Sequence, residues 1–216
     1  MKVVHFIRHA QSESNAGLPT EHPATIRLTE KGLEQARLTS QIFQEAPDLI
    51  VTTPYIRTLA SASSLIERFP GTRQVEWPAQ EFTYLDPINW KGTTIDERGA
   101  AAHAYWQRND PLYRDSGGAE SFVDLMQRID QVRQLIMQQD ASQVVIYSHG
   151  LFIRSFWWRM CMPCQPVDAE TMRNFIQFAR GMPLPNCSIL RFRFEDELVW
   201  VNGPQSTHLP AELITH

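Results

Sequence analysis

Apolar residues along this chain follow two spacings in turn. Val3-Val4-His5-Phe6-Ile7, Asp48-Leu49-Ile50-Val51-Thr52 and Val144-Val145-Ile146-Tyr147 are short apolar runs that read as buried strands, and Arg73 to Trp77 reads as a further one. Between and after them the period lengthens. Phe122, Leu125, Met126, Ile129, Val132, Leu135 and Ile136 recur at helical spacing, with Asp124, Arg128, Gln131 and Gln138 predicted outside. Thr29 is the predicted cap of a helix that turns Leu33, Ala36 and Ile42-Phe43 inward, and Thr53 caps another with Pro54 in its first turn. Leu151 to Trp158 reads as a helix apolar nearly all round, which must be buried or lie in an interface, and Asp168 caps a helix to about Phe178. Cys187 to Phe194 and Leu198 to Asn202 alternate as a hairpin turning at Glu195-Asp196-Glu197. The alternation of strand and helix from Met1 to Met160 predicts an α/β fold.

Regular spacing lapses between Pro78 and Gly118, apart from a short helix predicted around Ile95 to Gln107. Long aperiodic stretches inside a domain are commonly functional covers. The chain is therefore read as one domain, 1–216, with a lid or insertion at about 78–118.

Charge and cysteine content narrow the partners. A formal net charge of -4 offers no basic footprint, so nucleic acid is not expected and a small soluble substrate is favoured. The first apolar run is short and broken by His5, which predicts neither a signal core nor a membrane span, and a cytoplasmic protein. Three cysteines do not suggest a disulfide framework. Cys161-Met-Pro-Cys164 has redox or zinc spacing but lacks a second pair, and is read as structural.

Polar chemistry gathers where apolar runs stop. Arg8 and His9 fall at a strand's carboxyl end, the side on which open α/β sheets hold ligands. A neutral imidazole is a nucleophile, and a guanidinium presents a fixed fork of donors to phosphate oxygens. Arg57 lies near a helix start, where amides and dipole favour an anion, and Ser148-His149-Gly150 ends another buried strand.

Arg8-His9-Ala10, followed by Ser12-Glu13-Ser14-Asn15, resembles the signature of the histidine phosphatase superfamily, also called the phosphoglycerate mutase-like family, with Ala10 where the usual form has glycine. Leu28-Thr29-Glu30-Lys31-Gly32-Leu33-Glu34-Gln35-Ala36 is similar to the family's Leu-Thr-x-x-Gly-x-x-Gln-Ala segment and is read as scaffold. Thr53-Pro54-Tyr55-Ile56-Arg57 resembles its Ser-Pro-x-x-Arg segment, Gly117 to Phe122 its Gly-Gly-Glu-Ser segment, and Ser148-His149-Gly150 its second catalytic histidine.

The resemblance implies a three-layer α/β/α sandwich with a mixed, mostly parallel sheet. It further implies a metal-independent phosphomonoesterase that hydrolyses a small phosphorylated metabolite through a phosphohistidine on His9. Arg8, Arg57 and protonated His149 would hold the phosphoryl oxygens, with Asn15 and the Gly150 amide as extra donors. The general acid is expected at Glu81, with Asp86 as the alternative; no metal or other cofactor is expected. Lid residues Arg98, Arg108 and Arg114 could bind a second anionic group. Phosphoryl transfer of the phosphoglycerate mutase type, a protein phosphohistidine phosphatase, and a non-catalytic phosphate binder are the other readings. The Phe156-Trp157-Trp158 helix could serve a homodimer.

Overall fold

The computed structural model describes residues 1–163, 165–196 and 198–216. Its centre is a six-stranded sheet built from β1 (Lys2–Arg8), β2 (Leu49–Thr52), β3 (Arg73–Glu76), β4 (Gln143–Ser148), β5 (Ile189–Glu195) and β6 (Leu198–Gln205), in the order β3-β2-β4-β1-β5-β6. β1, β2, β3 and β4 pair in parallel; β5 runs antiparallel to β1 and β6. The sheet is thus mixed and mostly parallel, as expected.

Strand alternation divides the core into two layers. Val4, Phe6, Leu49, Val51, Val144 and Ile146 face one cluster with α3 (Gly99–Arg108), α4 (Phe122–Gln138), α5 (Gly150–Cys161) and α6 (Ala169–Gly181). Ile7, Ile50, Val145 and Tyr147 face the opposite side, where Ala62 and Leu65 of α2 (Ile56–Arg68) meet them, with α1 (Glu30–Ser40) beside α2. The three layers follow from the period-two pattern of the strands.

Several local expectations are corrected. In α1 the buried face is Gly32, Gln35, Ala36, Thr39 and Ser40, whereas Leu33 is 53% exposed. The reason is close approach: a Cβ on Gly32 would overlap the carbonyl oxygen of Gln11, so the helix presents its small and polar residues to the loop after His9. α2 starts at Ile56 rather than at Thr53. The predicted helix near Ile95 to Gln107 is observed at Gly99–Arg108. Arg128, expected outside, is buried against Glu120 through paired hydrogen bonds of 2.9 and 2.8 Å.

The aromatic surface of α5 is largely covered within the chain, since Trp157 and Trp158 pack on Phe178 of α6 at 5.4 and 5.3 Å between ring centroids. Cys161 is exposed; Cys164 and the predicted turn residue Glu197 lie outside the described residues. Among the described residues, no helix is long and apolar enough to cross a membrane.

Replacing Gly32 by alanine is expected to push α1 off the Gln11 loop and to cost about 1–3 kcal/mol, as overpacking typically does. Urea unfolding measures this directly, and an unchanged midpoint would show that the loop can yield.

Candidate active site

Register decides where the first two candidate residues meet. β1 and β4 pair with Arg8 opposite Ser148, and the His9 amide donates to the Ser148 carbonyl at 2.9 Å. The next residue on each strand is therefore a histidine, and the rings of His9 and His149 lie 5.2 Å apart. They are 140 positions apart in the sequence; parallel pairing removes that separation.

Hydrogen bonding fixes the state of His9. Its Nδ1 lies 2.8 Å from the Ala10 carbonyl oxygen, which can only accept, so Nδ1 carries the proton and Nε2 keeps its lone pair. Burial, and then the guanidiniums of Arg57 and Arg8, hold the His9 pKa well below its usual 6.5. His9 is consequently a neutral nucleophile at physiological pH. Burial, followed by Arg57, has the same effect on His149, which is therefore neutral here rather than protonated as expected. His149 Nε2 bonds Thr53 Oγ1 at 3.0 Å, and its Nδ1 is buried without a partner among the described residues.

A cavity of about 350 Å³ opens over this strand end, lined by Arg8, His9, Asn15, Arg57 and Glu81 among others. Arg57 enters from the second residue of α2; it donates to the Pro23 carbonyl and stacks 4.8 Å over the Tyr55 ring. Arg8 donates to the Leu184 carbonyl at 2.6 Å. Burial lowers both arginines to about 10, which leaves them charged at neutral pH. Asn15 accepts at Oδ1 from the Ser12 amide, the Ser12 hydroxyl and Asn186 Nδ2, leaving its own amide group as the donor available to the cavity.

Glu81 is delivered by a segment that crosses the sheet. After β3, the Trp77 amide bonds the Thr52 carbonyl and the Ala79 carbonyl accepts from Ser148 Oγ, so the chain passes over the ends of β2 and β4. Glu81 Oε1 then accepts from the amides of Leu151, Phe152 and Phe82 at 3.0 to 3.1 Å, two of them at the start of α5. Oε2 has one longer contact, to the Leu151 amide at 3.2 Å.

The alternative acid, Asp86, is placed differently. Its carboxylate accepts from Ser116 Oγ and from the Gly118 and Ile88 amides, and it does not line the cavity. It holds the segment together. His149 and Gly150 are also absent from the cavity wall: they lie immediately behind it, Gly150 between Arg8 and Glu81.

Five supporting residues escaped sequence reasoning. Ser61 Oγ accepts from the Ala10 amide at 2.9 Å and donates to the Arg57 carbonyl, tying α2 to the loop after His9. Gln35 accepts from the Gln11 amide at 2.7 Å, which gives the segment read as scaffold a role in holding that loop. Arg128 donates to the Pro78 and Gln80 carbonyls, on the stretch that leads into Glu81. Asn186 Nδ2 donates to the His9 carbonyl, and Arg154 adds positive charge near Arg8. None sits in a pattern that sequence periodicity would distinguish from surface or core. Ala10, in turn, packs its methyl among Ala36, Cys187 and Leu209, away from the cavity.

Known proteins resemble this chain in sequence and in fold. The chain is 30% identical over 157 residues to the glucosyl-3-phosphoglycerate phosphatase of Mycolicibacterium vanbaalenii, covering 67% of this chain and 68% of the relative. Its fold matches a phosphoserine phosphatase mutant of Entamoeba histolytica in complex with phosphoserine (TM-score 0.74, 22% identity, 97% and 100% of the two chains). It also matches the alpha-ribazole phosphatase of Shigella flexneri (TM-score 0.73, 17% identity, 94% and 96%). The family model for the histidine phosphatase superfamily (branch 1) matches residues 4–203, and the chain belongs to that superfamily.

Proposed function

We propose that this phosphatase hydrolyses small phosphorylated metabolites, without a metal, through a phosphohistidine on Nε2 of His9. The single observation that carries the assignment is the His9 tautomer: with Nδ1 tied to the Ala10 carbonyl, the free lone pair belongs to Nε2, in a ring that lines a cavity carrying two charged arginines. In the first step Nε2 attacks phosphorus in line and the P–O bond to the leaving group breaks. Arg8 and Arg57 bind the phosphoryl oxygens, whose charge must be stabilised in the transition state, and they supply the positive charge a metal would otherwise bring. His149, from behind His9, adds its buried Nδ1 when substrate brings negative charge alongside.

The departing alkoxide takes a proton from Glu81. Its Oε1 is occupied by three amides, so Oε2 is the oxygen that carries the proton. Water then attacks the phosphohistidine, gives its proton to Glu81, and the P–N bond breaks to release phosphate and restore His9. Segment 78–118 covers the site while this happens. The relatives named for glucosyl-3-phosphoglycerate, phosphoserine and alpha-ribazole support a small metabolite as the substrate class.

Acid quenching of enzyme mixed with a phosphorus-labelled monoester should leave acid-labile label on the wild type and none on His9→Ala; label retained by the variant would remove His9 from its role. Arg57→Ala should lower turnover about 10²- to 10³-fold, the usual cost of a lost transition-state donor. Glu81→Gln should cost far more with an alkyl phosphate than with p-nitrophenyl phosphate, whose leaving group needs no proton; equal losses on both would reject Glu81 as the acid.

His9 and His149 also make a thermodynamic statement. Each binds fewer protons in the folded than in the unfolded chain, so their stabilisation is complete above pH 6.5 and is lost as pH falls below it. Each contributes a slope approaching about 1.4 kcal/mol per pH unit. Urea midpoints at pH 7, 6 and 5 should fall in that order, less steeply in His9→Asn; a flat series would mean that these imidazoles accept protons in the native state.

A further inference from the structure

The helical cover of the sheet is incomplete at one corner. On the side where α2 packs over β2 and β4, Phe43, just beyond α1, meets His5 of β1 edge-on at 5.5 Å. Ile189 of β5 belongs to that same side, and strand alternation puts Arg191 and Arg193 there with it. Past His5 this face is open: Arg191, Arg193, Trp200 and Asn202 are all exposed. Together with Met1 and Val3 they line a groove of about 290 Å³. It sits at the opposite end of β1 from the catalytic residues, since Val3 precedes His9 by six residues, about 20 Å of extended strand.

Register leaves both of these arginines without a counter-charge. Arg191 stands between His5 and Asn202 on the neighbouring strands, and Arg193 between Val3 and Trp200, so no cross-strand neighbour of either is acidic. Carboxylates do meet arginines elsewhere on the surface, Glu34 with Arg37 and Asp124 with Arg114, both at 2.7 Å. No carboxylate lines the groove, and among the described residues neither β5 guanidinium has an ion-pair partner. Burial, and then the charge of Arg191, push the neighbouring His5 down to about 4. His5 therefore stays neutral, and the two arginines carry the charge of the groove.

Trp200 prepares one of the two. The Arg193 guanidinium lies 4.3 Å over the Trp200 ring, which orients its fork and reduces the freedom it would lose on binding. The stack also draws Arg193 toward β6 and keeps it apart from Arg191, two residues and about 7 Å away along β5. Two forks held apart match two anionic groups, and each fork fits a phosphoryl group in bidentate fashion. Asn202, opposite Arg191, adds an amide donor, and the small volume limits the ligand to a compact one. We propose that this groove is a second anion site, separate from the catalytic centre, which binds a diphosphate group, free or carried on a nucleoside, with one phosphoryl on Arg191 and the other on Arg193. Binding here is independent of the hydrolytic reaction and uses none of its residues.

The test is isothermal titration calorimetry with methylenediphosphonate and with α,β-methylene-ADP, which carry the paired charge without a P–O–P bridge to cleave. The wild type should bind both probes, and Arg57→Ala should keep that binding because the groove is untouched. Arg191→Gln and Arg193→Gln should each weaken it about 10- to 100-fold, the worth of a charged hydrogen bond, and Arg193→Lys should retain part of it. Circular dichroism spectra of these variants should match the wild type, which separates lost binding from lost fold. Tighter binding of α,β-methylene-ADP than of methylenediphosphonate would identify a nucleoside carrier; equal or weaker binding would identify the free diphosphate. Three results would overturn the site: no binding of either probe, binding lost in Arg57→Ala but kept in both β5 variants, or equal affinity for sulfate at matched ionic strength.

Discussion

The site depends on the parallel pairing of β1 with β4 in a register that sets Arg8 opposite Ser148. Parallel strands end at the same edge of a sheet, so residues that follow them emerge side by side. A slip of one residue would turn one of the two histidines to the other face and separate the rings. The register is held by apolar contacts on both faces. Val4, Phe6, Val144 and Ile146 are locked into one layer while Ile7, Val145 and Tyr147 fill the other, and all are fully buried. Chemistry at the strand end thus borrows its precision from packing in the middle of the strands.

Around that edge the protein concentrates positive charge and then manages it. Half-buried Arg8 and buried Arg57 stand together with two buried histidines, an arrangement that would repel itself if all four carried protons. Burial resolves the conflict by discharging the imidazoles, which titrate near neutrality, and sparing the guanidiniums, which do not. Carbonyl oxygens of Pro23 and Leu184 absorb one donor from each arginine and fix its orientation. Glu81 is held by a separate device. Arg128, tied to Glu120, pins the carbonyls of Pro78 and Gln80, and the amides at the head of α5 fix the carboxylate that follows. His9 and Glu81 are therefore positioned by different elements.

Much of this was legible in the order of residues. Apolar runs of four or five located β1, β2 and β4, because a strand buried on both faces needs no polar alternation. The wide apolar stripe of α4 located its helix, and the Arg-His, Ser-His-Gly and Thr-Pro-x-x-Arg groupings marked the ends at which chemistry would sit. Where the reading of local pattern failed, a longer-range contact had overridden it. Leu33 was expected inward, but Gly32 must meet the Gln11 backbone and that turns leucine to solvent. Arg128 was expected outward because it is charged, yet Glu120 and two carbonyls compensate its burial.

By itself the sequence determined the fold class and the ends of the buried strands, since these follow from local periodicity, while the resemblance of its motifs to a known family singled out the candidate side chains. Tertiary structure decided what no single stretch could encode. It set the tautomer of His9, and it put Glu81 rather than Asp86, and Arg98 rather than Arg108 or Arg114, on the cavity wall. Each of those depends on which groups distant in the chain become neighbours, and hydrogen bonding and desolvation act only between groups that have met.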